Sequence, residues 1–255
     1  TLPPMSIDLA GKVILITGAS RGIGAAGART LAKANAIVAI NYNRSESEAL
    51  ALAREIGEPA FAVRGDVSNP SDVQAMIDQV EQRCGRLDVL VNNAATLEMN
   101  PFDGDSYEHW QAAWHRTFDL NIFGAANAAF LAMRLMRKHG GGKIINIASR
   151  AAYRGETEFA DYGASKAALV NLTISIARGC AKDDITSTCI APGFIETEMA
   201  KWELEKHHDE IVNQVPLRRV GTVDDVAGVI LFLASPLADY LNGTTIDVNG
   251  GSWFH

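Results

Sequence analysis

Residues 12–24 read Lys-Val-Ile-Leu-Ile-Thr-Gly-Ala-Ser-Arg-Gly-Ile-Gly, a short apolar run that ends in a glycine-rich turn. The run Lys12–Thr17 predicts a strand buried on both faces, as strands of a parallel sheet are. Glycines let the backbone of the turn approach a pyrophosphate, and the helix that follows directs its N-terminus at the anion. A tight connection without a ligand is the alternative, but the position after the first strand favours phosphate binding. The residues predicted to bind there are Gly18, Ser20, Arg21, Gly22, Ile23 and Gly24.

Strand-like and helix-like segments alternate along the rest of the chain. In the clearest helix, Asn69 is the expected N-cap, Pro70 the first turn and Gly85 the stop. Such alternation predicts a parallel sheet with helices on both faces. No linker, charge run or repeat divides the chain, so we predict an α/β fold with one doubly wound, Rossmann-like domain over residues 1–255. Six further strands make seven, at Ile37–Ile40, Ala60–Val63, Val89–Val91, Lys143–Ile147, Thr186–Ile190 and Thr245–Val248.

Composition narrows the classes of function. The 255 residues carry a net charge of −7, which argues against nucleic acid as a partner, and 47% of them are apolar, enough for a sizeable core. No apolar run is long enough to span a membrane, and Thr1–Met5 lacks the basic-then-apolar order of a signal peptide. The three cysteines lack metal-ligand spacing, and His207-His208 is interpreted as a solvated face. We therefore expect a cytoplasmic protein with reduced thiols, no membrane contact and no metal.

Tyr162 and Lys166 form a Tyr-x-x-x-Lys pair, about one helical turn apart. A phenol normally keeps its proton up to a pKa of about 10. An ammonium fixed beside it favours the phenolate, so the pair predicts a tyrosine whose pKa is lowered toward working pH and which can act as a general acid or base. As a bare motif the pair is weak, and the motifs around it decide its interpretation.

The glycine-rich turn and the Tyr-x-x-x-Lys pair, in this order along the chain, resemble the motifs of the short-chain dehydrogenase/reductase family. Its signature is Thr-Gly-x-x-x-Gly-x-Gly followed by Tyr-x-x-x-Lys, and the resemblance runs from about Leu9 to Gly251. Ser149 lies 13 residues before Tyr162, the family's usual gap. Ala95 stands where the family has glycine, a change that we expect to be tolerated. Other matches are Asp66 and Val67 at the adenine, Asn93, Ala94 and Ala95 on the adenosine side, and Pro192, Gly193, Ile195 and Thr197 at the nicotinamide carboxamide.

The resemblance implies a role for each catalytic residue. Tyr162 donates a proton to the carbonyl oxygen while hydride leaves the nicotinamide. Lys166 lowers the pKa of the tyrosine and binds the nicotinamide ribose. Ser149 donates a hydrogen bond to the same oxygen. Asn121 anchors a water that connects the lysine to solvent.

Cofactor choice should depend on the residues after the second strand. Enzymes that use NAD place a carboxylate there, whereas a nearby arginine accommodates the 2′-phosphate of NADP. No carboxylate occurs before Glu46, and Arg44, with Arg21 opposite, is available for a phosphate. We therefore expect NADP(H), although Arg44 as a plain loop cation is the alternative. The segment predicted to make this contact is Asn41, Tyr42, Asn43, Arg44 and Ser45.

The substrate is predicted less sharply than the cofactor. The segment 194–215 has a helical pattern and is expected to form a lid, with Met199 and Trp202 either lining an acyl pocket or pinning the lid. With no buried cationic cluster evident, we expect a partly apolar ketone or β-keto ester. The segment Ala191–Met199 and the tail Asp247–Gly251 resemble those of 3-oxoacyl-[acyl-carrier-protein] reductases, whose surface arginines bind the acidic carrier. Arg178 matches one such position, and the basic cluster Arg134, Arg137 and Lys138 lies near another.

Two other functions stay open. A sugar or secondary-alcohol dehydrogenase would use the same residues in the oxidative direction. A non-catalytic NADP(H)-binding regulator is disfavoured, because such proteins usually lose a catalytic residue and this chain keeps all four.

The two helices that carry Asn121 and Tyr162 continue into alanine-rich and apolar stretches. Such surface exceeds what one contact with the sheet should use and implies a partner. In the family these helices form a four-helix bundle, so we expect a homotetramer. Packing of the alanines on the protein's own sheet is the alternative.

Overall fold

A seven-stranded parallel sheet with strand order β3-β2-β1-β4-β5-β6-β7 organises the chain. The computed structural model describes residues 7–104 and 106–255, so the expectation for Thr1–Met5 lies outside the described residues. All seven predicted strands are present, some with slightly shifted ends. They are β1 Val13–Ile16, β2 Ile37–Tyr42, β3 Phe61–Arg64, β4 Val89–Asn92, β5 Gly142–Ile147, β6 Ile185–Pro192 and β7 Thr245–Val248.

Helices cover both faces of this sheet, as the doubly wound prediction required. Side chains of β1 alternate between the two faces. Ile14 and Ile16 belong to one buried cluster, and Val13 and Leu15 belong to the other. The main helices are α1 Gly22–Lys33, α2 Glu46–Ile56, α3 Pro70–Cys84, α4 Tyr107–Phe118, α5 Ala125–Arg137, α6 Ala151–Arg154, α7 Ala160–Cys180, α8 Lys201–Gln214 and α9 Val223–Ala234.

Helix α3 begins and ends where its sequence predicts. The Asn69 side chain accepts a hydrogen bond of 2.9 Å from the Ser71 amide, and Pro70 occupies the first turn. Gly85 ends the helix with φ of 72°, a left-handed conformation that glycine adopts without strain.

Between α4 and α5 lies a π-helical turn, Asp119–Gly124, that the sequence analysis did not predict. The wider turn carries Asn121. It also brings the backbone of Gly124 close to the loop that follows β3. A Cβ atom added at Gly124 would lie 2.7 Å from the Val67 carbonyl oxygen. Single π-helical turns inside α-helices are frequent at functional sites.

None of the helices in residues 7–104 and 106–255 is both long and apolar enough to cross a bilayer.

Gly124→Ala tests the close approach at the π-helical turn. The added methyl would collide with the Val67 carbonyl, so we expect the free energy of unfolding to fall by about 1–3 kcal/mol. Gly179→Ala on α7 is the matched control, because a Cβ there meets nothing within 4 Å. It should raise the free energy of unfolding by about 0.5–1 kcal/mol. Urea unfolding of both variants decides; equal stability of the two would contradict the packing described.

Candidate active site

A cleft of about 960 Å³ opens at the carboxyl ends of the strands, beside the point where the strand order reverses between β1 and β4. This position is where open α/β sheets bind their ligands. The structure brings nearly every predicted site residue to this cleft; the exceptions are Gly24 and Asn121. The predicted residues that line it are Gly18, Ser20, Arg21, Gly22, Ile23, Asn41, Tyr42, Asn43, Arg44, Ser45, Asp66, Val67, Asn93, Ala94, Ala95, Ser149, Tyr162, Lys166, Pro192, Gly193, Ile195 and Thr197.

The glycine-rich turn is held tightly against the end of β4. The Thr17 hydroxyl accepts hydrogen bonds from the amides of Asn93 at 3.0 Å and Ala94 at 3.1 Å. A Cβ on Gly18 would lie 2.9 Å from the Ala94 Cα, and one on Gly24 would lie 2.6 Å from Asn93 Nδ2. Gly24 therefore contributes space for packing beneath the cleft rather than a cleft wall.

Asn41 braces the same turn from β2. Its Oδ1 accepts a hydrogen bond of 3.0 Å from the Gly18 amide, and its Nδ2 donates one of 3.0 Å to the Gly65 carbonyl. Farther along, Asn43 Nδ2 donates to Asp66 Oδ2 at 2.8 Å. The end of β2 and the segment after it thus shape the cleft wall through side-chain amides. A carboxylate in place of the Asn41 amide would repel the Gly65 carbonyl oxygen.

The two arginines predicted to meet a 2′-phosphate differ in their surroundings. Arg44 is exposed at the cleft and has no ion-pair partner within 4 Å among the described residues. Arg21 forms an ion pair of 2.7 Å with Glu198, which belongs to the predicted lid. Both members of that pair are largely exposed, so it contributes little to stability.

Helix α7 and strand β5 converge on the catalytic candidates. Lys166 Nζ donates a hydrogen bond of 2.8 Å to the carbonyl of Ile147, the last residue of β5, and lies 5.4 Å from the centroid of the Tyr162 ring. Ser149 lies two residues after the end of β5, and it lines the cleft together with Tyr162 and Lys166. The three side chains therefore share one corner of the cleft.

The predicted electrostatic effect of the lysine is wrong. Burial raises the pKa of Tyr162 to about 12, although an interaction with the Ser149 side chain works in the opposite direction. Burial also lowers the pKa of Lys166 to about 8. The expected lowering of the tyrosine pKa does not occur, because removal of water from the phenolate is the largest effect on that pKa.

Asn121 lies behind the cleft rather than in it. Its Oδ1 accepts a hydrogen bond of 2.9 Å from the Thr96 amide, and its Nδ2 donates to Thr96 carbonyl oxygen at 3.2 Å and to Ser165 Oγ at 3.0 Å. Ser165 Oγ in turn donates to the Tyr162 carbonyl oxygen at 2.7 Å. Asn121 thus ties the loop after β4 to the helix that carries the tyrosine, and its role in a water relay stays a prediction.

The predicted lid is only partly helical. A short 3-10 turn, Glu198–Ala200, leads into α8, and α8 is kinked at His207, where φ is −127°. Met199 lines the cleft, whereas Trp202 does not. The Trp202 ring is 45% exposed, and Lys206 Nζ lies 4.0 Å from its centroid. Trp202 therefore neither lines an acyl pocket nor anchors the lid by being buried against the rest of the protein.

Arg150, which lines the cleft directly after Ser149, begins a segment that the sequence places over the site, but the motifs assign it no role. Its side chain is buried, and the motifs give no sign of this second buried cation besides Lys166. The signal available was a charged residue at the end of a buried strand. Its burial depends on Phe194, whose ring lies 4.7 Å from the guanidinium carbon and is distant in sequence.

Neither a metal cluster nor a disulfide occurs in the ranges that the structure describes. Cys189 is buried beneath the site, and burial raises the pKa of its thiol to about 11. A thiol with so high a pKa is a poor nucleophile at neutral pH.

Comparison with known proteins finds relatives along almost the whole chain. The family profile described as "Enoyl-(Acyl carrier protein) reductase" matches residues 18–252. The chain is 38% identical to 3-oxoacyl-[acyl-carrier-protein] reductase of Staphylococcus aureus over 245 residues, 95% of this chain and 98% of that protein. It is also 38% identical to galactitol 2-dehydrogenase of Agrobacterium fabrum over 254 residues, covering 95% and 97%. A gluconate 5-dehydrogenase from Burkholderia cenocepacia, solved with NADP and tartrate, superposes with a TM-score of 0.89 at 37% identity, covering 96% of each chain.

Lys166→Met tests the buried ammonium through the pH dependence of stability. The pKa of Lys166 is about 8 in the folded protein and 10.5 as its ordinary value, so the unfolded chain binds more protons between these values. Stability of the unaltered protein should therefore rise with pH in that window, by about 2 kcal/mol relative to the variant between about pH 7 and pH 9.5. Urea unfolding across that range is the measurement, kept below the region where Tyr162 titrates. Parallel pH curves for the two proteins would mean that the ammonium is not buried.

Proposed function

Because the chain belongs to the short-chain dehydrogenase/reductase family of oxidoreductases, we propose that it reduces a ketone to a secondary alcohol with NADPH. The observation that carries the proposal is the convergence of Ser149, Tyr162 and Lys166 on one corner of a nucleotide-sized cleft. A hydroxyl, a phenol that keeps its proton and a fixed lysine are the groups that carbonyl reduction requires from a protein.

The residues of the cleft fit a dinucleotide. The N-terminus of α1 faces the cleft beside Gly22, no acidic residue lies in its first turn, and glycine spacing leaves room for a pyrophosphate. All six residues that the family resemblance assigns to the two ends of the cofactor line this cleft. They are Asp66 and Val67 at the adenine end, and Pro192, Gly193, Ile195 and Thr197 at the nicotinamide end. When bound, the nicotinamide supplies hydride; the protein supplies position and a proton.

The proton chemistry follows from the surroundings of Tyr162. With a pKa near 12, the phenol is protonated throughout the physiological range and serves as the acid that donates to the carbonyl oxygen. Ser149 donates a hydrogen bond to the same oxygen as negative charge develops. Lys166, with a pKa of about 8, remains mostly cationic at neutral pH and stabilises the phenolate that proton donation leaves.

Preference for NADPH has support in the charges at the adenosine end of the cleft. Arg44 is exposed there without an ion-pair partner among the described residues, and β2 ends in Asn41 and Tyr42 rather than in a carboxylate. An unpaired guanidinium is suited to a phosphate because it donates two parallel hydrogen bonds. Binding of the phosphate by Arg21 would compete with its ion pair to Glu198.

Two substrate classes have support from the relatives. One is β-ketoacyl groups carried on acyl-carrier protein, the substrate named for the Staphylococcus aureus protein. Of the four basic residues expected to meet such a carrier, Arg137 is engaged by Asp183 and Lys138 by Glu81, both at 2.7 Å. That engagement weakens the case for a carrier. The other class is polyols and sugar acids, oxidised in the reverse direction with the same residues.

We also propose that the protein is a homotetramer, although not all of the alanines that follow Asn121 are available to a partner. Ala128, Ala129 and Ala132 of α5 are buried within the chain itself. The unpartnered apolar surface comes instead from Phe123 at 57% and Phe130 at 60% exposure, seven residues apart on one helical face. Exposed phenylalanines of this kind indicate a protein interface. Sedimentation tests the proposal, and a species with the mass of one chain would contradict it.

Arg44→Asp tests the proposed cofactor preference. The unaltered protein should have the higher kcat/KM with NADPH, and the variant should lose about tenfold to 100-fold with NADPH while gaining with NADH, because a carboxylate repels the phosphate and accepts from a ribose hydroxyl. Initial rates with both cofactors are compared. Arg54→Asp, on the outer part of α2, is the charge-matched control and should change the ratio little. A higher kcat/KM of the unaltered protein with NADH would reverse the assignment.

Tyr162→Phe tests the proposed acid. The variant should bind NADPH with unchanged affinity and lose at least about 1000-fold in kcat for every ketone, since only the proton donor is removed. Lys166→Ala should lose both activity and cofactor affinity. The panel comprises β-ketoacyl thioesters, diketones, quinones, ketosteroids and sugars, measured in both directions. Retention of activity within tenfold in Tyr162→Phe would require another proton donor.

A further inference from the structure

We propose that Arg150 is a substrate-specificity residue that binds a carboxylate on the ketone, so that the preferred substrates are oxo acids. The proposal rests on the carbonyl reduction argued above and selects among its substrates. It ranks oxo acids above neutral ketones and above β-ketoacyl thioesters, which carry no charge near the reacting carbon.

One nitrogen of the Arg150 guanidinium is buried without a hydrogen-bond partner. The residue is 4% exposed, and its Nη1 has no hydrogen-bond acceptor in the part of the chain that the structure describes. An isolated buried charge is costly unless it is paired. Since buried polar groups in native proteins almost always have partners, a buried guanidinium nitrogen without an acceptor on a cleft wall indicates that the missing acceptor is a ligand.

The surroundings hold this guanidinium in place. Its carbon lies 4.7 Å from the centroid of the Phe194 ring, and the backbone amide of Arg150 donates a hydrogen bond of 2.9 Å to the Pro192 carbonyl. Stacking on an aromatic face fixes the plane of an arginine and leaves its edge free for hydrogen bonds. Arg150 is thus pre-organised on one wall of the cleft.

Neighbouring charges leave the positive charge of Arg150 unneutralised. Arg154 lies close enough to oppose that charge, and Glu156 close enough to favour it. Arg154 and Glu156, however, approach each other to 3.4 Å. Arg150, Arg154 and Glu156 together carry a net charge of +1, which favours the binding of an anion beside them.

The position relative to the reacting atoms gives the ligand class. Arg150 follows Ser149 directly, and both line the same cleft as Tyr162. A substrate whose carbonyl oxygen meets Ser149 and Tyr162 would therefore place a nearby substituent against Arg150. A carboxylate matches the two parallel donors of a guanidinium better than a hydroxyl or an ester does.

Glu203 on α8 offers a competing partner. Its Oε1 is also buried without a hydrogen-bond partner among the described residues, and it lines the same cleft. If movement of the lid paired Glu203 with Arg150, the arginine would serve closure and not substrate charge. The two roles predict different responses to substrate charge, which the experiment uses.

The experiment compares 2-, 3- and 4-oxo acids with their methyl esters, using NADPH and initial rates. For the best acid, kcat/KM in the unaltered protein should exceed that of its ester by about 100-fold. Arg150→Met, which keeps the apolar length against Phe194, should reduce this acid-to-ester ratio by about 100-fold, mainly through KM. Arg150→Lys should keep part of the preference, because it retains the charge without the paired donors.

Three controls make the outcome decisive. NADPH affinity should be the same in the unaltered and Arg150→Met proteins, because loss of cofactor binding would assign Arg150 to the cofactor and overturn the proposal. An unchanged acid-to-ester ratio in Arg150→Met would overturn the proposal. Equal losses for acid and ester in both Arg150→Met and Glu203→Gln would do so as well, and would assign Arg150 to the lid. Reduction of neutral ketones without preference for acids would overturn the proposal while leaving carbonyl reduction intact.

A binding measurement judges the inference separately from turnover. Malonate, titrated calorimetrically, should bind the unaltered protein at least about tenfold more tightly than it binds Arg150→Met. Equal or undetectable binding to both proteins would overturn the carboxylate site, whatever the assay of turnover shows.

Discussion

The burial of the Lys166 ammonium is the constraint on which the rest of the site depends. A buried cation is tolerated only where hydrogen bonds replace its water, and here the Ile147 carbonyl at the end of β5 accepts one at 2.8 Å. This bond joins α7 to the sheet at the cleft. It fixes Tyr162 one helical turn away and Ser149 two residues beyond the strand, so one contact determines where the three reacting side chains meet.

Polar side chains at the strand ends pre-form the remainder of the cleft. Thr17 ties the glycine-rich turn to β4, Asn41 ties it to the loop after β3, and Asn121 ties the loop after β4 to α7. Each bond satisfies a backbone group that would otherwise be buried without a partner. The cost of ordering these loops is therefore met during folding, which leaves more of the binding energy of a ligand for affinity and for transition-state stabilisation.

Local patterns predicted the fold and the membership of the cleft, and tertiary contacts decided what they could not predict. The strand–helix alternation, the Asn69 cap and the glycine-rich turn depend on neighbours in sequence, and all appear as expected. The π-helical turn at Asn121 and the high pKa of Tyr162 depend on packing between distant elements. Burial of Arg150 likewise depends on Phe194, which is distant in sequence, so no local pattern indicated that this arginine would be buried.

Transfer of deuterium tests the central claim, that the corner formed by β5 and α7 passes hydride to a carbonyl carbon and a proton to its oxygen. NADPH deuterated at the transferring position of its nicotinamide is incubated with the protein and the ketone of highest turnover, and the product alcohol is analysed by mass spectrometry and NMR. The account predicts one deuterium on the carbinol carbon, from one face of the ring only, with the hydroxyl proton taken from solvent. Alcohol without deuterium at that carbon, or oxidation of NADPH without alcohol, would contradict it.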